Sequence, residues 1–142
     1  MAAIMRILLL MLTLFGLTGA NAHAVEPKPI PFVMQMTVGD SDAQRRAFLQ
    51  IAKVLEDIGS KRVKVEVVAY EGGIHALLAD HHETATLLAA LARQGVKFKA
   101  CRISMRSHGL KDEDFPIEVD FVPAGAPEMV RLQMKGYRYW RP

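Results

Sequence analysis

"RVKVEVVAYEGG", residues 62–73, decides how the rest of the chain is read. From Arg62 to Glu66 apolar and charged residues alternate, the period of a strand with one wet face. From Val67 the run becomes continuously apolar, as a strand does when it passes from a sheet rim into a centre covered on both sides. Glu71-Gly72-Gly73 then breaks it. A strand of this kind belongs to a parallel sheet, so its neighbours should be strands reached through helical crossovers.

Both flanks fit. Upstream, "PFVMQMTV" (31–38) reads as a strand, largely apolar on both faces. A helix then starts at Ser41, with Gln44 at capping-box spacing. Phe48, Ile51, Ala52, Leu55 and Ile58 form its buried stripe, and Gly59 is its stop. Downstream, "IHALLAD" suits a short helical turn. "DHHETATLLAALARQG" suits a helix opened by Asp80 and Glu83 at capping-box spacing, with Thr84, Leu87, Leu88, Leu91 and Ala92 inward. "VKFKAC" (96–101) is a third strand whose Lys97 and Lys99 mark a wet face or end. "RISMRSHG" is a short helical piece closed by Gly109. "IEVDFV" (117–122) is a fourth strand, "PAGAPEMVRLQMKG" a helix ending at Gly136, and "YRYW" (137–140) a fifth strand. The alternation gives the α/β class: a three-layer α/β/α sandwich around a mainly parallel five-stranded sheet, with right-handed crossovers.

The N-terminus reads as an export signal over residues 1–24, leaving residues 25–142 as one domain. Arg6 is the basic region and "ILLLMLTLFGLTGA" an apolar stretch too short for a good transmembrane span. The small residues of "ANAHA" suit cleavage before Val25 or before His23. The Ala-x-Ala pattern points to the bacterial periplasm, and after its removal no membrane segment is expected. Loss of residues 1–24 removes Arg6 and no acid, so the net charge falls from +3 to +2. That balance is too close to neutral for a nucleic-acid partner, and no basic cluster is interleaved with aromatics.

Open parallel sheets carry their sites at the carboxyl ends of the strands. Three junctions qualify: Gly39-Asp40, Glu71-Gly72-Gly73 and Cys101. Cys101 is the single cysteine, so it has no partner for an internal disulfide in an oxidising compartment. A helix start and the nearby Arg102 and Arg106 would favour its thiolate, as a sulfur acceptor requires. Against this stands the reading of Cys101 as an inert buried residue. Gly72 and Gly73 read as a sharp turn that brings backbone close to the site. The glycines lack the Lys-Ser/Thr of a phosphate loop, so no nucleotide cofactor is expected. Cys101 with His75 and His108 could form a Cys/His metal site, but no C-x-x-C or H-E-x-x-H supports it. The scattered methionines, Met34 and Met36 among them, read as core filling rather than copper ligands.

The order of "VKVEVVAYEGGIHALL", "LARQGVKFKAC" and "VPAGAPEMVRLQMKGYRYWRP" resembles the DsrE/DsrF-like superfamily, in particular its small secreted branch. The strand-final cysteine with a glycine eight residues on is part of that pattern. The resemblance implies an α/β sandwich that assembles into homo-oligomers, and a cysteine that takes sulfane sulfur as a persulfide and passes it on. Cys101 matches that cysteine, with Arg102, Arg106, Gly72 and Gly73 as the residues expected around its substrate. Donor and acceptor proteins and a sulfurtransferase-like relay follow from the same resemblance, without a cofactor. The chain departs from the cytoplasmic relay members in its export signal and in "CRISMRSHG". A generic periplasmic sulfur-carrier or thiol-redox role is therefore the expectation. The alternatives are an oligomeric binding module with a buried cysteine and a Cys/His metal-binding protein.

Overall fold

The computed structural model describes residues 26–142. The export-signal reading of residues 1–24 lies outside them. Five strands form one sheet: β1 (Ile30–Met36), β2 (Val63–Ala69), β3 (Lys97–Cys101), β4 (Val119–Val122) and β5 (Arg138–Trp140). Their order is β4-β3-β2-β1-β5, and every pairing among them is parallel. The helices are α1 (Ser41–Ile58), α2 (Ala85–Arg93), α3 (Arg102–Ser107) and α4 (Gly125–Met134). Two 3-10 segments, Glu71–Leu77 and Asp112–Asp114, are the remaining helical elements among the described residues. Among the described residues no helix is long and apolar enough to cross a membrane.

The layers follow from handedness. The chain steps from β1 to β4 in one direction, so right-handed crossovers keep their helices on one face. The last crossover runs back past β1 to β5, and the same hand sends α4 to the opposite face. The side chains agree. Met34, Met36, Val65, Val67 and Phe98 on one face pack with Phe48, Ile51 and Leu55 of α1, with Leu88 and Leu91 of α2, and with Met105. On the other face Val33 and Val68 meet only Met129 and Leu132 of α4, flanked by Tyr70 and Tyr137. The fold is the expected three-layer α/β/α sandwich with one thin layer.

Local details differ from the sequence reading. The N-cap of α1 is Asp40, whose Oδ1 accepts the Ala43 N–H at 2.8 Å. Gln44 is fully buried and takes no part in a capping box. Its Nε2 donates to Val38 O (2.7 Å) and Gly72 O (3.2 Å), joining the β1–α1 loop to the 3-10 segment. Ile58 is 46% exposed, because it lines an open groove with Phe32, Val63 and Trp140 instead of closing onto them. Helix α2 begins later than its acidic residues suggest. Thr84 precedes it, donating from Oγ1 to Ala76 O (2.8 Å) rather than capping it.

Candidate functional site

Cys101 is the last residue of β3 and the N-cap of α3. It is 3% exposed. Its side chain points to the thin face, where the start of α4 covers it. The neighbouring strand β4 ends at Val122, opposite Cys101, and α4 begins three residues later. The Gly125 N–H donates to Sγ at 3.2 Å. The backbone N–H groups of Ile103 and Ser104 and the Ser104 hydroxyl, at the start of α3, also favour the Cys101 thiolate without making a directed capping bond to Sγ. Burial pushes the thiol up, but these donors outweigh it and hold Cys101 below its ordinary value. Two helix starts thus bring donors to one sulfur.

Each donor is held in place. Ser104 Oγ accepts the Glu71 N–H at 2.7 Å, tying α3 to the turn after β2. Glu71 adopts a left-handed φ of 51°, uncommon for a residue with a side chain, and this bond helps hold it there. Gly125 has no room for a side chain: a Cβ would lie 2.7 Å from Cγ and Cδ1 of Tyr70. The Tyr70 phenol is itself fixed by Gln35, which is bonded in turn to Tyr139.

Below Gly125, an ion network clamps α4 to the sheet. Glu66, on the thin face of β2 and 3% exposed, faces Lys99 Nζ at 2.8 Å and Lys64 Nζ at 3.1 Å, and accepts from the Tyr137 hydroxyl at 2.6 Å. The directed hydrogen bond of Lys99 goes to Glu128 Oε1, at 2.6 Å on the first turn of α4, and its contact with Glu66 Oε2 is an ion pair. Burial works to raise the Glu66 carboxyl, yet Lys99, Tyr137 and Lys64 bring it down to about 2. Lys99 is therefore not the wet lysine that its alternation with Phe98 suggests. It sits two residues before Cys101 on the same strand face and joins β3 to α4 beside the thiol.

The other residues expected at the site fall elsewhere. Arg102 forks onto Asp112, with Nη1–Oδ1 at 2.7 Å and Nη2–Oδ2 at 3.1 Å, and lies over the Phe121 ring at 4.5 Å. Arg106 is exposed on α3. The leading causes of the thiol's depression are N–H and O–H groups, and neither arginine is among them. Gly72 and Gly73 make a close approach to the end of β1. A Cβ on Gly73 would lie 2.1 Å from Met36 O, and one on Gly72 2.9 Å from Gly39 Cα. His75 and His108 do meet, edge to face at 4.6 Å, and His75 Nδ1 contacts Gly72 O at 3.1 Å. Cys101 does not join them. His108 lies at the far end of α3, seven residues on and roughly 10 Å away by helical rise. Among the described residues no group of three or more His, Cys, Asp or Glu is placed to hold a metal ion.

Sequence reasoning singled out the sulfur but missed Gly125, Ser104, Tyr70 and the Glu66–Lys99–Glu128 network. One signal was available for Gly125. In a parallel sheet with β4 beside β3, the helix that follows β4 must begin next to the end of β3.

Comparison with known proteins agrees with this architecture. A solved structure titled as a protein of unknown function, MTH1491 from Methanobacterium thermoautotrophicum, superposes with a TM-score of 0.73 at 29% sequence identity. The match covers 80% of this chain and 99% of that one. No functionally curated protein matches. A family model for the DsrE/DsrF-like family matches residues 31–141, and the chain belongs to that family.

Proposed function

We propose that this protein is a periplasmic carrier of sulfane sulfur in which Cys101 forms the persulfide. Family membership supports a sulfur-relay-type role in general terms. The observation that carries the finer reading is the Gly125 N–H bonded to Sγ at 3.2 Å, which joins the Ser104 and Ile103 groups in lowering the thiol. A merely buried cysteine would be held as the neutral thiol, whereas this one is biased toward thiolate.

The transfer balances without an added oxidant. The Cys101 thiolate attacks the terminal sulfur of a donor protein's persulfide, and a new S–S bond forms at Sγ. The donor's own S–S bond breaks, and its cysteine leaves as a thiolate that takes up a proton. The second step mirrors the first, with an acceptor thiolate attacking the outer sulfur and Cys101 leaving. The absence of a second cysteine in the chain prevents an internal thiol from releasing the sulfur early. The reading includes export through residues 1–24 and assembly as a homo-oligomer. Exposed Met134 (82%) and Val130 (56%) on α4 supply apolar surface for that assembly.

One observation favours a second reading. The 3% exposure of Cys101 suits a structural residue in an oligomeric binding module. Incubation with polysulfide separates the two. The carrier gains the mass of one sulfur atom per chain, localised to Cys101, and Cys101→Ser gains none. A native protein that takes up no sulfur, with a thiol that labels only after unfolding, establishes the second reading. N-terminal sequencing of the periplasmic protein tests export, and light scattering tests assembly.

A further inference from the structure

The crossover pattern marks a second place on the molecule. Strands β1 and β5 are neighbours, but the connection out of β1 runs over one face and the connection into β5 over the other. At such a switch point a crevice opens outside the carboxyl ends of the strands, where open α/β sheets bind ligands. The structure has a cleft of about 320 Å³ there, walled by the end of β1, one side of α1 and the residues after β5. It lies two strands from Cys101, roughly 10 Å sideways across the sheet, so it is distinct from the thiol.

The charged side chains that line it are all basic. Arg46 and Arg141 both line it, with Gln50 beside them and Pro142 at its edge, and no acidic side chain lines it. The nearest carboxylate to Arg46 is Asp40, whose Oδ1 is 3.9 Å from Nη2 and already accepts the Ala43 N–H. Among the described residues no carboxylate lies within 4.0 Å of the Arg141 guanidinium. Two guanidinium forks therefore keep donors suited to a carboxylate, sulfonate or phosphate. Val38, Ala43 and Ala47 supply an apolar wall next to them.

We propose that this cleft binds a small organic anion, its oxyanion head on Arg46 and Arg141 and a short aliphatic body against Val38, Ala43 and Ala47. A bare inorganic anion uses only the first half of that surface.

The test is titration of the full protein with butanesulfonate and with sulfate at low ionic strength, followed by calorimetry and by amide shifts. Butanesulfonate is expected to saturate one site per chain, to shift residues 37–50 and 141, and to bind about tenfold more tightly than sulfate. Arg46→Gln and Arg141→Gln are each expected to weaken it about tenfold while thermal stability stays unchanged. The proposal is overturned by an absence of saturation below about 10 mM, by equal affinity for the two anions, or by wild-type affinity in both arginine variants.

Discussion

Replacing Gly125 by Ala tests the thiol site most directly. The added Cβ would sit 2.7 Å from two ring carbons of Tyr70, well inside contact distance. The ring cannot swing aside freely, because its phenol is bonded to Gln35 and Gln35 to Tyr139. The relief left is for the start of α4 to back away from the sheet. A retreat of about 1 Å takes the Gly125 N–H from 3.2 Å beyond useful reach of Sγ. Overpacking of this kind costs about 1–3 kcal/mol of stability. A hydrogen bond to a charged group contributes about 1.5–3 kcal/mol, and one pKa unit corresponds to about 1.4 kcal/mol. With the Ser104 and Ile103 donors still present, the Cys101 midpoint should rise but stay short of that of an unassisted buried thiol. Thiolate absorbance followed against pH reads the midpoint, and thermal melting reads the stability. Gly59→Ala is the control, since Gly59 has a φ of 100° with nothing near it and lies far from the sulfur. It should lose stability and leave the midpoint alone. If Gly125→Ala melts lower yet titrates like the wild type, its N–H is not what holds the thiolate.

Three further outcomes follow from named contacts. The Glu66 carboxyl, at about 2 when folded against 4.5 ordinarily, contributes stability that is fully present above pH 4.5 and lost as pH falls toward 2. The ceiling on that loss is about 3 kcal/mol. Urea midpoints measured across that window should fall steeply, and Glu66→Gln should flatten the fall; parallel curves for the two proteins would refute the assignment. Gly73→Ala forces a Cβ to 2.1 Å from Met36 O and should cost about 3 kcal/mol or more, or prevent folding, as circular dichroism would show. Arg102→Ala should leave the Cys101 midpoint unchanged, because that guanidinium is committed to Asp112 and Phe121. A rise like that expected for Gly125→Ala would instead return Arg102 to the thiol's electrostatics.

The strands were legible because a parallel sheet interior demands apolar residues on both faces, and "VEVVAY" can be little else. Helix starts were less so. Asp40 and Ser41 are adjacent and equally able to cap, and periodicity does not choose between them. Gln44 has the spacing of a box residue, yet the turn it sits on packs against the 3-10 segment, and burial redirects its amide to two carbonyls. The arginines illustrate a different limit. Proximity in sequence put Arg102 beside Cys101, but the helix start sends its side chain outward to an aspartate ten residues on. What acts on the sulfur comes instead from Ser104 and Ile103 at the start of α3 and from Gly125, 24 residues away, whose relevance depends on strand order. Charged residues within apolar strands, Glu66 and Lys99, were the signal for the network. On paper they are indistinguishable from a solvated rim.

The unequal clothing of the two sheet faces has a kinetic consequence for the sulfur. Helix α4 is held by two of its own buried apolar side chains on two from the sheet and by a set of ion pairs, whereas the opposite face is one continuous core. Such a helix is expected to be the first to lift in partial openings that leave the sheet intact. Each opening bares Sγ, but it also withdraws the Gly125 N–H and lets the thiol recover its proton. Exposure and ionisation are thereby set against each other, so the sulfur is most nucleophilic while it is shut in and least so when it can be reached.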